Sequence, residues 1–171
     1  AAGAAIINDV EALQGKDAMK AAVASGAPLV MMHMKGTPGT MQQGPVYDFA
    51  PVEIYEFLKQ RVAAAIAAGI PASSIAIDPG FGFGKTLTHN LQLVNWLSLF
   101  HGLGVVVLFG ASRKSSIARI SAGEPVEARL PGSLALAAAA WRQNAQIIRV
   151  HDVAETAQAL AVEAALLATN S

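Results

Sequence analysis

Short apolar runs that end in polar residues recur five times along the chain, and this repetition constrains the fold more than any other feature. Each run is followed by a loop and then by residues with helical periodicity. Strands that alternate with helices are typical of α/β proteins with a parallel sheet, in which ligands bind at the carboxyl ends of the strands. The runs and the polar residues that follow them are residues 5–7 with Asn8, Leu29–Met32 with His33, residues 75–77 with Asp78, residues 105–110 with residues 112–114, and Ile147–Ile148 with Arg149 and His151.

The segments between the runs predict where the helices lie. Apolar residues repeat there at spacings of three and four, and glycine or proline residues mark the ends. A long segment without periodicity, residues 35–50, predicts a loop that is either functional or disordered. The predicted helices are residues 16–25, a helix that begins at Pro51 and ends before Gly69, and residues 90–100, 115–120, 131–144 and 153–168.

The length of the chain limits how many βα units it can hold. It has 171 residues, of which 53% are hydrophobic, and this suits one domain with a sizeable core. Five units in 171 residues give about 34 residues per unit, the size of a βαβ step. A closed barrel of eight units needs about 250 residues. We therefore expect one domain over residues 1–171, and we expect the sequence, which begins with Ala1, to be the C-terminal part of a longer chain.

The composition favours a small-molecule partner. Twelve basic and twelve acidic residues give a net charge of zero, and no basic run occurs, so nucleic acid is not an expected partner. The absence of cysteine excludes disulfide and thiolate chemistry and fits a cytoplasmic protein. No run of 18 apolar residues occurs, so we expect no membrane partner.

The glycine-rich segment that follows the third run does not match two familiar nucleotide-binding motifs. A Walker A loop needs glycine where the chain has Pro79, and a dinucleotide fingerprint needs Gly or Ala where it has Lys85. The glycines instead let the backbone approach a flat ligand closely, and Phe81 and Phe83 can cover a ring. Asp78 fits either a turn residue or an acceptor for two N–H groups of a heterocycle.

Two later segments predict an anion site. Lys114, hydroxyl groups and the N–H groups at a helix start converge after the fourth run, which favours an anion or carboxylate. The alternative is that Ser115 caps the helix and Lys114 is solvated. Arg149 and His151 share one face of an extended chain and suit a diphosphate. We interpret Asp152 as a capping residue of the last helix.

The polar residues at the first two strand ends have less specific patterns. Asn8 carries a donor and an acceptor that suit a heterocycle, whereas Asp9 fits a ligand contact or a turn. We interpret His33 as a buried, hydrogen-bonded residue and not as a base. The spacing of His33, Asp78 and His151 matches no metal signature, so a protein-bound zinc is not expected.

Five motifs occur in order along nearly the whole chain: Ile7-Asn8-Asp9-Val10, Met32-His33-Met34 with Gly36 and Met41-Gln42, residues 78–85, Ser112-Arg113-Lys114, and Arg149-Val150-His151-Asp152-Val153. In their order and spacing these motifs resemble the dihydropteroate synthases of folate biosynthesis. The resemblance implies a TIM (β/α)8 barrel, of which this chain would hold about the last five βα units. It implies a transferase that condenses 6-hydroxymethyl-7,8-dihydropterin diphosphate with 4-aminobenzoate, giving 7,8-dihydropteroate and diphosphate. It also implies Mg²⁺, inhibition by sulfonamides, and a cytoplasmic homodimer.

The resemblance assigns the two ring-shaped substrates to particular residues. Asn8 and Asp78 match the groups that hydrogen-bond the pterin. Lys114 matches the residue that contacts the pterin ring and faces the aminobenzoate pocket. Met32 and Phe83 would line that pocket.

The remaining roles concern the charged ends of the substrates. Ser115 matches the contact to the aminobenzoate carboxylate, Arg113 belongs to the substrate-binding set, and Arg149 and His151 match the diphosphate binders. The family reaction is dissociative, so its site must hold the leaving anion and the electron-rich ring in fixed geometry. The implied catalytic residues are Lys114, Asp78, Arg149 and His151.

Three elements of the family pattern have no match in this sequence. They are the Asn-Val-Thr-Pro-Asp-Ser-Phe loop, the Ser-Thr-Arg-Pro loop and a further pterin-binding Asp. Because the Asn loop contributes Mg²⁺ binding, we expect no metal ligand in this segment. Two alternatives stay open: a pterin-binding relative that transfers a methyl group, and a catalytically incomplete fragment or subunit with the same fold.

Overall fold

A computed structural model describes residues 3–37, 39, 41 and 44–169. Gln42 of the second motif lies outside these residues. Five parallel strands form one sheet in chain order, which confirms the α/β class that the alternating pattern predicts. The strands are β1 (Ile7–Asp9), β2 (Leu29–Met32), β3 (Ile75–Asp78), β4 (Val106–Phe109) and β5 (Ile147–Ile148).

Each strand is followed by one or two α-helices, close to their predicted positions. Three short 3₁₀ helices occur in addition, at Ala72–Ser74, Leu97–Leu103 and Val126–Ala128. The α-helices are α1 (Ala18–Ser25), α2 (Ala50–Ala67), α3 (Leu87–Asn95), α4 (Ser115–Ile120), α5 (Leu130–Arg142) and α6 (Val153–Ala168).

The third helix differs from its predicted range of residues 90–100. It begins earlier because Thr86 and His89 form a capping box. The Thr86 hydroxyl accepts the His89 N–H at 3.2 Å, and His89 Nδ1 accepts the Thr86 N–H at 3.3 Å. A histidine thus fills the place that Glu or Gln takes in the usual motif. The helix ends before Trp96, and a 3₁₀ helix continues the chain.

The sequential strand order distinguishes between two α/β architectures. A doubly wound sheet reverses its strand order at a switch point, whereas a barrel adds each new strand beside the last one. The register follows the second pattern, with Ile7 beside Leu29, Met32 beside Asp78 and Phe109 beside Ile148. The sheet is therefore an arc of a barrel.

The two faces of the sheet have different surroundings. One face packs against the helices and forms the main core, to which Met31, Ile77 and Phe109 belong. The opposite face carries a small apolar cluster of Val30, Ala76 and Leu108. Alternate residues share a face of a strand, so the residues two positions further along, Met32, Asp78 and Gly110, lie above this cluster on the inner side of the arc.

The helices do not include a membrane-spanning segment. Within the described residues, none combines the length and the apolar character that crossing a bilayer requires.

Candidate functional site

A cleft of about 480 Å³ lies at the carboxyl ends of β3, β4 and β5. Each of these strands leads into a loop that contributes polar or aromatic side chains, as the sequence pattern predicts. The cleft is lined by Phe83, Gly110, Ser112, Arg113, Lys114, Val126, Arg149, Val150 and His151.

Asp78 is the buried carboxylate of the site. It is the last residue of β3 and is only 3% exposed, and one carboxylate oxygen accepts the Gly80 N–H at 2.7 Å. Burial raises the pKa of the Asp78 carboxyl, and the hydrogen bond from Gly80 opposes this rise. The cations of Arg149, Lys85 and Lys114 oppose it as well. Asp78 is therefore an acceptor that needs nearby positive charge to stay ionised.

Lys114 faces the cleft from the start of α4. Its backbone is extended and it occupies the residue just before the helix. Its ammonium nitrogen lies 4.0 Å from the centre of the Phe83 ring, which is a cation–π contact. Burial lowers the pKa of Lys114, and Arg149 lowers it further, whereas Asp78 raises it. Lys114 thus lies between an aromatic ring, a second cation and the buried carboxylate.

Arg149 and His151 both line the cleft. The Arg149 guanidinium lies against Gly110, where an added methyl group would be 3.2 Å from Nε. Because Gly110 has no side chain, the Arg149 guanidinium can pack directly against its backbone. Ser112 holds the other residue: its hydroxyl accepts the His151 N–H at 3.2 Å and lies 3.0 Å from His151 Nδ1. The neighbouring cation and ring donors suit a phosphate group.

Arg113 has a left-handed backbone conformation and is held by hydrogen bonds to three other residues. Its φ of 57° lies in the left-handed region, which costs energy in a residue that is not glycine. Its N–H donates to the Ser133 hydroxyl at 2.9 Å, and its carbonyl accepts a hydrogen bond from Arg129 at 3.1 Å. Its guanidinium binds both carboxylate oxygens of Asp152. These contacts fix the residue that precedes Lys114.

Two sequence-based interpretations are wrong. Asp152 occupies the position before α6, but its carboxylate does not cap that helix, because it binds Arg113 instead. Phe81 does not cover a ligand, because it is buried and packs edge-to-face on Phe109, with ring centres 5.6 Å apart. Phe83 alone of the two aromatic residues faces the cleft.

The other predicted residues lie around the cleft and outside its lining. Met32 is buried beside Asp78 in the register of β2 and β3. Asn8 is exposed and lies on the inner face, because its neighbour Ile7 packs against the main core. Ser115 is exposed at the first turn of α4. Asp9 accepts the N–H groups of two following residues, at 2.8 and 3.0 Å, and so forms a turn.

His33 and Lys85 form a buried pair beside the site. His33 Nδ1 lies 3.0 Å from the Lys85 ammonium, and burial lowers the pKa of His33 to about 2. The histidine is therefore neutral, and the prediction that it is a buried, hydrogen-bonded residue is confirmed. Sequence reasoning did not single out Lys85. The only signal was a lysine that ends a glycine-rich loop.

The described residues do not offer a metal site. No group of three or more His, Cys, Asp or Glu side chains within residues 3–37, 39, 41 and 44–169 could hold an ion. The described residues therefore provide no cluster of protein ligands that would hold Mg²⁺ by itself.

The sequence and the fold match one group of known proteins. Residues 1–151 match the family of pterin binding enzymes, and the chain belongs to this family. Over 165 residues it is 46% identical to a dihydropteroate synthase of Escherichia coli, and the matched region covers 96% of the chain and 58% of that protein. The chain therefore spans little more than half the length of this relative.

Solved structures of similar proteins agree with the fold. A Yersinia pestis dihydropteroate synthase in complex with a sulfonamide drug matches with a TM-score of 0.93 and 42% identity, over 98% of this chain and 61% of that one. The Xanthomonas albilineans dihydropteroate synthase in complex with 7,8-dihydropteroate matches with a TM-score of 0.90 and 43% identity, over 97% of this chain and 60% of that one. These relatives are TIM barrels, and this confirms the fold class: the chain forms part of an α/β barrel.

Proposed function

We propose that residues 1–171 bind the pterin substrate in a dihydropteroate synthase, which joins 6-hydroxymethyl-7,8-dihydropterin diphosphate to 4-aminobenzoate. The observation that carries this proposal is the convergence of a buried carboxylate, Asp78, with the cations of Lys114 and Arg149 on the inner face of the barrel. The names of the relatives support it, as does the complex of one of them with 7,8-dihydropteroate.

The pterin ring is proposed to bind beside Asp78. A carboxylate can accept two adjacent N–H groups of a heterocycle, and a buried one does so without competition from water. Asn8 is proposed to bind the same ring from its place on the inner face of β1. Lys114 is proposed to contact the heteroatoms of the ring from the opposite side, where its ammonium already lies 4.0 Å from the Phe83 ring centre.

The diphosphate is proposed to bind Arg149 and His151. Arginine presents a planar fork that is always charged and matches phosphate oxygens. In a dissociative reaction negative charge grows on the leaving group, so cations that are already in place stabilise the transition state. Arg149 lies close enough to lower the pKa of Lys114. The leaving group and the ring would therefore be held by adjacent groups of one cleft.

The 4-aminobenzoate is proposed to bind against Phe83 and Lys114, with Met32 in the same pocket, Ser115 at the carboxylate and Arg113 in the surrounding wall. The complex of the Yersinia relative with a sulfonamide drug supports a pocket that also takes sulfonamides. No step of this proposal is assigned to Mg²⁺, since the described residues provide no cluster of three or more ligands that could hold the ion.

The family resemblance also supports a cytoplasmic homodimer. We propose that α5 and α6 form the contact between the two copies. Four large apolar side chains of α6 are more than half exposed and would be covered there: Val153 at 68%, Val162 at 56%, Leu166 at 57% and Leu167 at 52%.

Binding calorimetry with hydroxymethylpterin and with its diphosphate tests the function. We expect both to bind, and we expect Arg149→Ala to weaken only the diphosphate form, by about 10-fold to 100-fold for a lost charged hydrogen bond. Arg149→Lys should restore part of the loss. The matched control is Arg142→Ala, which removes an exposed arginine paired with Glu163.

Three outcomes would contradict the proposal. Failure of both pterins to bind the unmodified protein would refute it. Equal weakening of both ligands by Arg149→Ala would show that Arg149 supports the fold and not the leaving group. Methyl transfer to or from a folate, without formation of dihydropteroate, would favour the methyltransferase relative.

A further inference from the structure

Lys85 is a buried lysine that the proposed reaction does not use. It is 2% exposed, and lysine is rarely buried to this extent unless its charge has partners. Its ammonium donates to the Phe83 carbonyl at 2.8 Å and to the His33 carbonyl at 3.4 Å, and it lies 3.0 Å from His33 Nδ1. Because His33 is neutral, its Nδ1 serves as an acceptor. One side chain thus joins the end of β2 to the loop that follows β3.

The loop after β3 is pressed against the chain that leaves β2. A methyl group added at Gly80 would overlap the His33 carbonyl oxygen, and it would lie 3.3 Å from the Lys85 ammonium. The same Gly80 gives its N–H to the Asp78 carboxylate. Lys85 therefore lies beside the loop residue that contacts Asp78, and its charge favours ionisation of that carboxyl.

We infer that Lys85 is a positioning residue of the pterin site: its buried ammonium keeps Asp78 ionised as an acceptor and holds the Phe83 loop against the end of β2. This inference rests on the proposed pterin-binding function. Lys85 does not itself line the cleft, so it acts through Asp78 and Phe83.

The charged groups around Lys85 agree with this role. His33 after β2, Asp78 at the end of β3, His89 on α3 and Lys114 before α4 all interact with it electrostatically. Burial lowers the pKa of Lys85 to about 7, Asp78 raises it and Lys114 lowers it. Asp78 is the one anion of this group. The protonated lysine and the ionised aspartate therefore stabilise each other.

The test measures pterin affinity as a function of pH for variants of the intact protein. Pterin binding requires the Asp78 carboxylate, so it is lost on the acid side when Asp78 takes up a proton. Lys85→Met removes a cation near Asp78, which raises the pKa of that carboxyl. We expect the acid midpoint of binding to move upward by about one pH unit or more. Lys85→Arg keeps the charge and should leave the midpoint in place.

The control is Lys59→Met, which removes an exposed lysine of α2 that pairs with Glu56. It should change neither the midpoint nor the affinity. A second measurement uses 4-aminobenzoate: Lys85→Met should weaken its binding because the Phe83 carbonyl loses its donor. This measurement is also made on Lys85→Arg, in which a longer, planar head group cannot reproduce all three contacts of the lysine.

Each outcome decides the inference. A purely structural lysine would lower the melting temperature and leave the acid midpoint of Lys85→Met unchanged, and this would overturn the proposal. If Lys85→Met does not fold, Lys85→Gln, which is also neutral, decides: an upward shift of the midpoint supports the positioning role, and an unchanged midpoint contradicts it. Loss of pterin binding in the unmodified protein would instead refute the function on which the inference rests.

Discussion

Replacing Gly84 by alanine should destabilise the protein much more than the same change at Gly104. Both glycines have similar left-handed backbones, with φ of 64° and 69°. At either site the left-handed conformation of an alanine therefore destabilises the folded state by about 1–2 kcal/mol. The loss of unfolded-state entropy is also the same for both changes and cancels. The two sites differ in their surroundings. A methyl group at Gly104 meets nothing within 4 Å, whereas one at Gly84 would overlap the Lys35 carbonyl oxygen and lie 2.9 Å from the Lys35 amide nitrogen.

The overlap at Gly84 involves backbone and cannot be relieved by turning a side chain. Forced overpacking of this kind costs about 1–3 kcal/mol, so Gly84→Ala should lose about 1–3 kcal/mol more than Gly104→Ala. Urea unfolding measures the difference, provided that the two variants share one m-value. Gly84→Ala should also weaken 4-aminobenzoate binding, because the displaced loop carries Phe83. Equal losses of stability in the two variants would refute the close packing of the loop on the end of β2.

Two further predictions concern charged groups. Asp78→Asn should weaken pterin binding by about 1–3 kcal/mol, the cost of a mispaired buried group; calorimetry that finds unchanged affinity would remove Asp78 from the site. Asp152→Asn should reduce 4-aminobenzoate affinity severalfold, because it loosens Arg113 and with it the neighbouring Lys114. Glu163→Gln is the control, since Glu163 also forms a two-point bridge, to Arg142 at 2.8 and 2.9 Å, but far from the cleft in the helical layer. Equal effects of these two changes on affinity would contradict the role of Asp152.

The sequence predicted the parts of the fold that depend on local patterns. β2 and β3 match their predicted runs because an apolar segment followed by a polar residue is itself the signature of a buried parallel strand. Helix α4 was also predicted at its observed bounds, since its limits follow from neighbouring residues. The same local logic placed Asp78 at a strand end, where the structure finds it.

The sequence could not predict contacts that join distant segments. Asp152 has the local pattern of a helix cap, but a charged, two-point bond to Arg113, 39 residues away, takes its carboxylate. The buried Lys85 contacts His33, which is 52 residues away in the sequence, so no local pattern indicates this pair. Which of Phe81 and Phe83 faces the cleft depends on how the glycine-rich loop folds. The glycines of this loop have positive φ angles, so its side chains do not alternate between two faces as they do in a strand.

The arrangement of the two loops after β4 and β5 explains how one cleft could serve both ends of a substrate. Ser112 is bonded to His151, and Arg113 to Asp152, so the proposed ring-binding and phosphate-binding loops are joined at two points. Below these points the strands themselves are paired, with the Arg149 N–H on the Phe109 carbonyl at 2.9 Å. The distance between Lys114 and Arg149 is therefore set by backbone pairing and by short side chains. A dissociative reaction benefits from such fixed geometry, because the leaving anion and the reacting ring must be held in place before the bond breaks.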